Sequence, residues 1–239
     1  MQLSAYAYTN RGGRDHNEDS LRASAEQGIF VLADGLGGHR CGEVASQAAV
    51  DAIFTGMAQA EALEEASLLD LFRSANEELL RRQAQPGQEE MRTTAVALKL
   101  AGSTAFWAHI GDSRLYRFSN GELAGVTADH SVTYRKFLGG EISYMDVYHD
   151  DDRSRLLRVL GKEPCRPEAG QAAVSPGDAF LLCSDGFWEF VYNEEIQADL
   201  CRARTPEEWA EGMLLRHIRR TPPGSDNFSL ITVFVEACG

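Results

Sequence analysis

The stretch Ile29-Phe30-Val31-Leu32-Ala33-Asp34-Gly35 is five apolar side chains in a row, stopped by a carboxylate and a glycine. So short a run, rich in β-branched and aromatic residues, predicts a strand. A charge at the end of a wholly apolar strand is costly unless something compensates it, and this sets Asp34 apart. The same pattern recurs at Ala179-Phe180-Leu181-Leu182-Cys183-Ser184, which runs into Asp185-Gly186. Working outward, Thr94 to Leu100, Thr104 to Ile110, Leu115 to Phe118 and Leu230 to Val235 are further predicted strands. Ala101-Gly102-Ser103 joins two of them, and Gly111-Asp112-Ser113 interrupts a run that continues to a turn at Asn120-Gly121. Neither connection can hold a crossover helix, so much of the sheet is predicted antiparallel.

Apolar stripes at 3.6-residue spacing, Val44 to Ile53 and Leu68 to Leu79, predict two helices that pack on a sheet face. A third opens at Thr205-Pro206-Glu207-Glu208, with Thr as cap, Pro at the first helical position and Glu208 completing a capping box, and stops at Pro222-Pro223-Gly224. The segment from about 131 to 158 is polar and weakly periodic and reads as a partly helical insertion. With no linker and no repeat, residues 1–239 are expected to form one domain.

A chain of 239 residues with 44% hydrophobic content can bury a sizeable core, which excludes disorder as its main state. Thirty-six acidic against 23 basic residues leave a net charge of −13, the wrong field for a nucleic-acid backbone or an anionic membrane surface. No apolar run is long enough to span a bilayer, and the first residues lack the pattern of a secretory signal. Five scattered cysteines without a C-x-x-C pair argue against a disulfide framework and structural zinc. A cytoplasmic protein is expected.

Acidic residues at strand ends carry the chemistry. Asp34, Asp185, Asp112 after the strand ending at Ile110, and Asp226 ahead of Leu230 to Val235 would gather at one rim of an antiparallel stack. Like charges that meet need a cation, and hard oxygen ligands suit Mg²⁺ or Mn²⁺. Each Asp-Gly or Gly-Asp pair is also an ordinary turn. Upstream, Arg14-Asp15-His16-Asn17-Glu18-Asp19 offers a guanidinium fork for a phosphate beside an acid pair, or else a solvated loop.

Together these segments resemble the metal-dependent protein phosphatases of type 2C, particularly the compact bacterial serine/threonine phosphatases. In order stand Arg14-x-x-Asn17-Glu18-Asp19-Ser20, Ala33-Asp34-Gly35-Leu36-Gly37-Gly38-His39, Gly42-Glu43-Val44-Ala45-Ser46, Thr93-Thr94, Ile110-Gly111-Asp112-Ser113-Arg114, Thr127-Ala128-Asp129-His130-Ser131, Arg158-Val159-Leu160-Gly161, Leu182-Cys183-Ser184-Asp185-Gly186 and Asp226-Asn227-Phe228-Ser229. The resemblance implies an α+β fold, a four-layer α-β-β-α sandwich of two antiparallel sheets flanked by helices. It implies two Mn²⁺ or Mg²⁺ ions and a third, weaker one. Asp34 matches the carboxylate bridging both metals and their nucleophilic water, Gly35 a carbonyl ligand, and Asp185 and Asp226 terminal ligands. Asp19 and Glu18 match acids that hold the second metal or its waters, Asp112 the ligand of the third metal, and Arg14 the phosphate-binding arginine.

The implied activity is hydrolysis of phosphoserine and phosphothreonine on proteins by a metal-activated water, reversing a Ser/Thr protein kinase in bacterial signalling, by a monomer acting on the kinase and its targets. No cysteine sits in a C-x5-R loop, so thiolate chemistry has no candidate. The proton donor stays open between metal-bound water and a side chain; His39 is not equated with the histidine that other members carry two residues after the bridging aspartate, where this chain has Leu36. Arg92 and Leu157 depart from the family pattern, and the insertion at 131–158, matching the family's flap, is idiosyncratic. Its acidic run Asp150-Asp151-Asp152 reads as a solvated loop or as a selector of basic phosphopeptides. His109, His16, His149 and His217 receive no chemical role, His130 is read as ordering the start of the insertion, and Phe187-Trp188 as packing. A pseudophosphatase that binds phosphorylated partners and a phosphodiesterase or nuclease are the competing classes.

Overall fold

The structure, a computed structural model, describes residues 2–36, 41–60 and 64–237. One antiparallel sheet has the order β1 (Gln2–Asn10), β11 (Phe228–Glu236), β10 (Ala179–Cys183), β7 (Arg114–Ser119), β8 (Glu122–Val126). The other runs β2 (Asp19–Ser24), β3 (Ile29–Leu36), β5 (Ala95–Ala101), β6 (Thr104–Ile110), β9 (Glu168–Ala173), with the two-residue β4 (Arg92–Thr93) paired to the end of β3.

The apolar run that ends at Asp34 is buried on both sides, and its alternation shows why. Phe30 and Leu32 enter a core between the sheets with Val96, Leu98, Phe180, Leu182, Ile231 and Val233. Ile29, Val31 and Ala33 face the opposite way, onto α1 (Cys41–Gln59) and α2 (Glu65–Gln83), where they meet Ala45, Ile53, Phe72 and Leu79. In β10, Leu181 and Cys183 likewise turn outward to Trp209, Met213 and Ile196 of α5 (Asn193–Leu200) and α6 (Pro206–Arg220). A strand with period-two side chains and no polar face must be covered twice. Each large side chain so buried contributes about 1.5–3 kcal/mol. The result is the expected four-layer sandwich.

The Thr205 hydroxyl accepts from the Glu208 N–H at 3.1 Å, as expected of the cap on α6, whereas the Glu208 carboxylate takes the Arg204 N–H rather than that of Thr205. Asn120 and Gly121 both have positive φ, 53° and 79°, forming the tight β7–β8 turn. One expectation is corrected at Gly111-Asp112-Ser113. It is no hairpin within a sheet: β6 and β7 belong to different sheets, and this corner carries the chain from one to the other. Gly111 has φ +100°, and a Cβ there would lie 2.6 Å from Thr94 Cγ2, so the corner requires glycine.

The 131–158 segment leaves and returns at one point. Ser131 bridges Leu156, and the Leu157 N–H donates to His130 O at 2.7 Å. Within it α3 (Val132–Leu138) is capped by the Ser131 hydroxyl, and a 3₁₀ turn over Met145–Tyr148 buries Tyr148 against Trp188 and Tyr192.

Candidate active site

Strand ends deliver the acids, as the sandwich geometry requires. Asp19 pairs across β2–β3 with Asp34. The other sheet places the end of β10 beside the start of β11, bringing Asp185, the first residue of α4 (Asp185–Trp188), near Asp226. The inter-sheet corner adds Asp112. Asp34, Asp112, Asp185, Asp226 and Glu18 thus line one cavity of about 500 Å³, together with Gly35, Leu36, Arg14 and Asn227. Ser154 and Leu156 of the 131–158 segment close one side. Asp19 does not line it; it is buried one layer below. His16, read from sequence as idle, stands on the cavity wall.

Crowding shows in the proton affinities. Burial, then Asp19 and Asp185, pushes the Asp34 carboxyl well above its usual range. Burial, then Asp185, does the same to Asp112, and burial also raises Asp185, which shares a hydrogen bond with Asp34. Asp19 is pushed up to about 7 by burial, against the hydroxyls of Ser229 and Ser184. Glu18 is raised by burial and by Asp226. Asp19 Oδ1 is buried with no partner, an arrangement that costs free energy unless a further group satisfies it. Arg14 Nη2 donates to Asp226 Oδ2 at 2.8 Å, both side chains about half exposed.

The polar residues that hold these acids were not singled out by sequence. Asn227 Oδ1 accepts from the Glu18 N–H at 2.8 Å, and its Nδ2 donates to Arg11 O and His16 O, each at 2.9 Å. Ser184 and Ser229 donate to Asp19 Oδ2 at 2.8 and 2.6 Å. The Thr93 hydroxyl donates to Asp34 O at 2.7 Å, and the Asp34 N–H donates to Thr94 Oγ1 at 3.0 Å. Trp188, read as packing, is buried as expected and also donates its indole N–H to Asp112 O at 2.9 Å. Gly35 has no room for a side chain: a Cβ would sit 2.2 Å from Gly42 O and 2.6 Å from Glu18 O.

A family model for protein phosphatase 2C matches residues 9–214. The chain belongs to the protein phosphatase 2C family. It is 33% identical over 236 residues to the serine/threonine phosphatase stp of Listeria monocytogenes, covering 94% of this chain and 93% of that relative. The crystal structure of the Mycobacterium tuberculosis serine/threonine phosphatase PstP/Ppp is similar at a TM-score of 0.90 and 31% identity, covering 99% of this chain and all of that one. The catalytic domain of the phosphatase PstP in complex with two manganese ions is similar at 0.88 and 30% identity, covering 99% of both chains.

In this phosphatase 2C chain the acidic run of the 131–158 segment is held by basic side chains of the same segment. Lys136 Nζ lies 3.0 Å from Asp150 and 2.8 Å from Asp152, and Arg155 pairs with Asp152 at 2.9 Å. Two of the three charges are therefore spent inside the segment, which Arg153 fastens to Glu189 at 2.8 Å. His149 meets the Tyr192 hydroxyl at 3.2 Å. His39 and Cys238 lie outside the described residues.

His109, His130 and Glu168 bring possible donor atoms within 4.8 Å of one another, yet their geometry argues against a metal. The two rings are stacked, 4.7 Å between centroids and 12° apart, so their in-plane lone pairs point along parallel planes rather than at one ion. His130 Nδ1 already accepts from the Gly111 N–H at 3.1 Å, and Arg158 donates to Glu168 at 2.6 Å. His130 thus braces the Asp112 corner as well as the start of the insertion. His109 is buried as expected, its Nε2 on Ala128 O at 2.9 Å, but its Nδ1 has no partner.

Proposed function

We propose that this chain hydrolyses phosphoserine and phosphothreonine esters on proteins, with divalent ions, Mn²⁺ or Mg²⁺, held by its clustered carboxylates. One observation carries the reading: six carboxylates, Asp15 and Glu18 from one loop and Asp34, Asp112, Asp185 and Asp226 from four other places in the chain, line a single cavity that also receives Arg14, so a cluster in need of cations stands beside a cation suited to phosphate. The donor set fits such ions. It is all hard oxygen, burial and then mutual repulsion push its members to high proton affinity, and Asp19 keeps an orphaned buried oxygen beneath them.

Asp34, the Gly35 carbonyl, Asp185 and Asp226 would hold two ions, with Asp19 and Glu18 serving the second ion or its waters and Asp112 a third. When bound, such ions lower the pKa of water and neutralise charge on the phosphoryl oxygens. The chain supplies the rest. Arg14 turns from Asp226 to present its planar fork to phosphate oxygens. Leu36 and Leu156 line the cavity with apolar surface that displaces water, and Asn227 fixes the loop from which Arg14 reaches in.

The whole chain serves as one catalytic domain, with 131–158 as its flap. It works as a monomer in the cytoplasm on phosphoproteins, among them a Ser/Thr kinase and its targets in bacterial signalling. The bacterial serine/threonine phosphatases among its relatives support this, as do the acidic charge and the free thiols of the described cysteines; among the described residues no helix is long and apolar enough to cross a membrane. The test is phosphate release from a phosphothreonine peptide, with Mn²⁺ and with chelator, alongside Asp185→Asn. Turnover that needs Mn²⁺ and is lost in the variant is expected; peptide binding without turnover under every divalent ion tried would instead mark a binding module.

A further inference from the structure

We propose that His217 is a positioning residue for the carboxylate cluster: its imidazole fastens α6 to the two chain reversals that carry Asp185 and Asp226. The inference rests on the reading that those carboxylates hold ions. His217 is 1% exposed, and its Nε2 lies 2.7 Å from Gly186 O. A carbonyl oxygen can only accept, so the ring carries its proton on Nε2. Burial lowers the ring's proton affinity and keeps it neutral. The Thr221 hydroxyl lies 3.2 Å from Nδ1 and 2.7 Å from His217 O, and its single hydrogen serves one of the two at a time.

Around the imidazole stand three phenyl rings. Phe187, two residues after Asp185, stacks on it at 5.8 Å and 8°. Phe228, two residues after Asp226, approaches to 4.1 Å. Phe190 meets it edge-on at 5.6 Å. Packing alone does not account for a histidine in this box, since a phenyl or isobutyl group would fill it without burying polar nitrogens. What histidine adds is the N–H aimed at Gly186. That glycine is itself pressed against the other reversal, where a Cβ would lie 2.0 Å from Asn227 O. Gly186 is therefore held between Asn227 on one side and His217 on the other, and the separation of Asp185 from Asp226 depends on both. With no donor, the buried Gly186 carbonyl loses its side-chain partner and the reversal can shift away from Asn227.

The experiment compares Mn²⁺ binding by titration calorimetry in wild type, Asp185→Asn, His217→Phe and His217→Gln, with thermal unfolding in chelator run in parallel. Wild type is expected to bind and Asp185→Asn to lose binding. His217→Phe should unfold within a few degrees of wild type yet bind Mn²⁺ about tenfold more weakly. His217→Gln, whose amide can donate to the same carbonyl, should recover most of that loss. A purely structural role would lower the unfolding temperature and leave the affinity of the folded protein unchanged. Equal affinity in His217→Phe and wild type, or no recovery in His217→Gln, overturns the assignment to His217 alone. Absence of Mn²⁺ binding in wild type overturns the ion-binding reading and this proposal with it. Should His217→Phe fail to fold, His217→Leu takes its place with the same two outcomes.

Discussion

Replacing Asn227 by Ala should loosen the loop that carries Arg14. The amide is 5% exposed and makes three hydrogen bonds to the backbone of residues 11–18. Only one orientation satisfies them, because Glu18 offers an N–H and Arg11 and His16 offer carbonyls. At about 0.5–1.5 kcal/mol each, the three come to about 3 kcal/mol. Arg11 and His16 are exposed, so water can rescue part of this, and the expected loss is about 2 kcal/mol. For a chain of this size that lowers the melting temperature by roughly 4–8 °C. The same slackening should raise KM for a phosphopeptide, because Arg14 reaches the cavity from this loop. Urea denaturation and calorimetry in chelator measure the first effect and steady-state kinetics the second. Asn227→Asp sharpens the test: it keeps an acceptor for the Glu18 N–H but sets a carboxylate oxygen against two carbonyls, so it should destabilise at least as much as Ala. A loss below about 0.5 kcal/mol in both variants, with KM unchanged, would refute the clamp.

Asp34→Asn and Asp185→Asn should each abolish Mn²⁺-dependent phosphate release while the folded state persists; because each removes a charge from a self-repelling cluster, melting in chelator should be no lower than in wild type, and normal turnover in either would undo the ligand assignment. Arg14→Ala should raise KM for a phosphopeptide by about tenfold, the value of a charge-assisted hydrogen bond, and an unchanged KM would remove its role. His130 is held neutral, its pKa lowered from 6.5 to about 4 by burial, with His109 and Arg158 adding to the effect. A depressed pKa means that the unfolded chain takes up the proton first, so this contribution is present above pH 6.5 and is lost as pH falls toward 4. Between about pH 8 and pH 5.5 wild type should therefore lose about 1 kcal/mol relative to His130→Asn; a pH-independent difference between the two would contradict a buried neutral ring. Lys136→Ala should free Asp150 and leave Asp152 to Arg155 alone, loosening the 131–158 segment to limited proteolysis, and an unchanged digestion pattern would count against the internal pairing.

How the sandwich shows in the sequence depends on where each strand lies. β3, β5, β6, β7, β10 and β11 were legible as apolar runs, and each has a neighbour on both sides. Of the five strands not foreseen, β1, β2, β8 and β9 are the four edges of the two sheets, and β4 is only a two-residue pairing on the end of β3. An edge strand buries less and can afford Ser, Gln and Glu, as in Glu168-Ala169-Gly170-Gln171-Ala172-Ala173, where no β-branched residue marks it. The Gly111-Asp112-Ser113 corner was misplaced for a related reason. Local spacing limits what a three-residue connection can span, but such a connection reaches across the roughly 10 Å between packed sheets as well as the roughly 5 Å between paired strands, and nothing local distinguishes the two.

The acids were legible because they break a rule: Asp34 and Asp185 end runs that are otherwise wholly apolar, where an uncompensated charge would be expelled. Their supports break none. Asn227, Ser184, Ser229, Thr93 and Thr94 are residues that any turn or strand end accepts, and only the folded backbone shows that four of them converge on Asp19 and Asp34. His217 was opaque for the same cause: on α6 its spacing is that of a core position beside Met213 and Leu214, and its N–H finds meaning only through a carbonyl 31 residues away. A site of this kind thus has two layers with different visibility. Ligand acids are conspicuous because their charge conflicts with the hydrophobic pattern, whereas the donors that hold them fit the pattern of their own elements and act on residues that sequence proximity never joins.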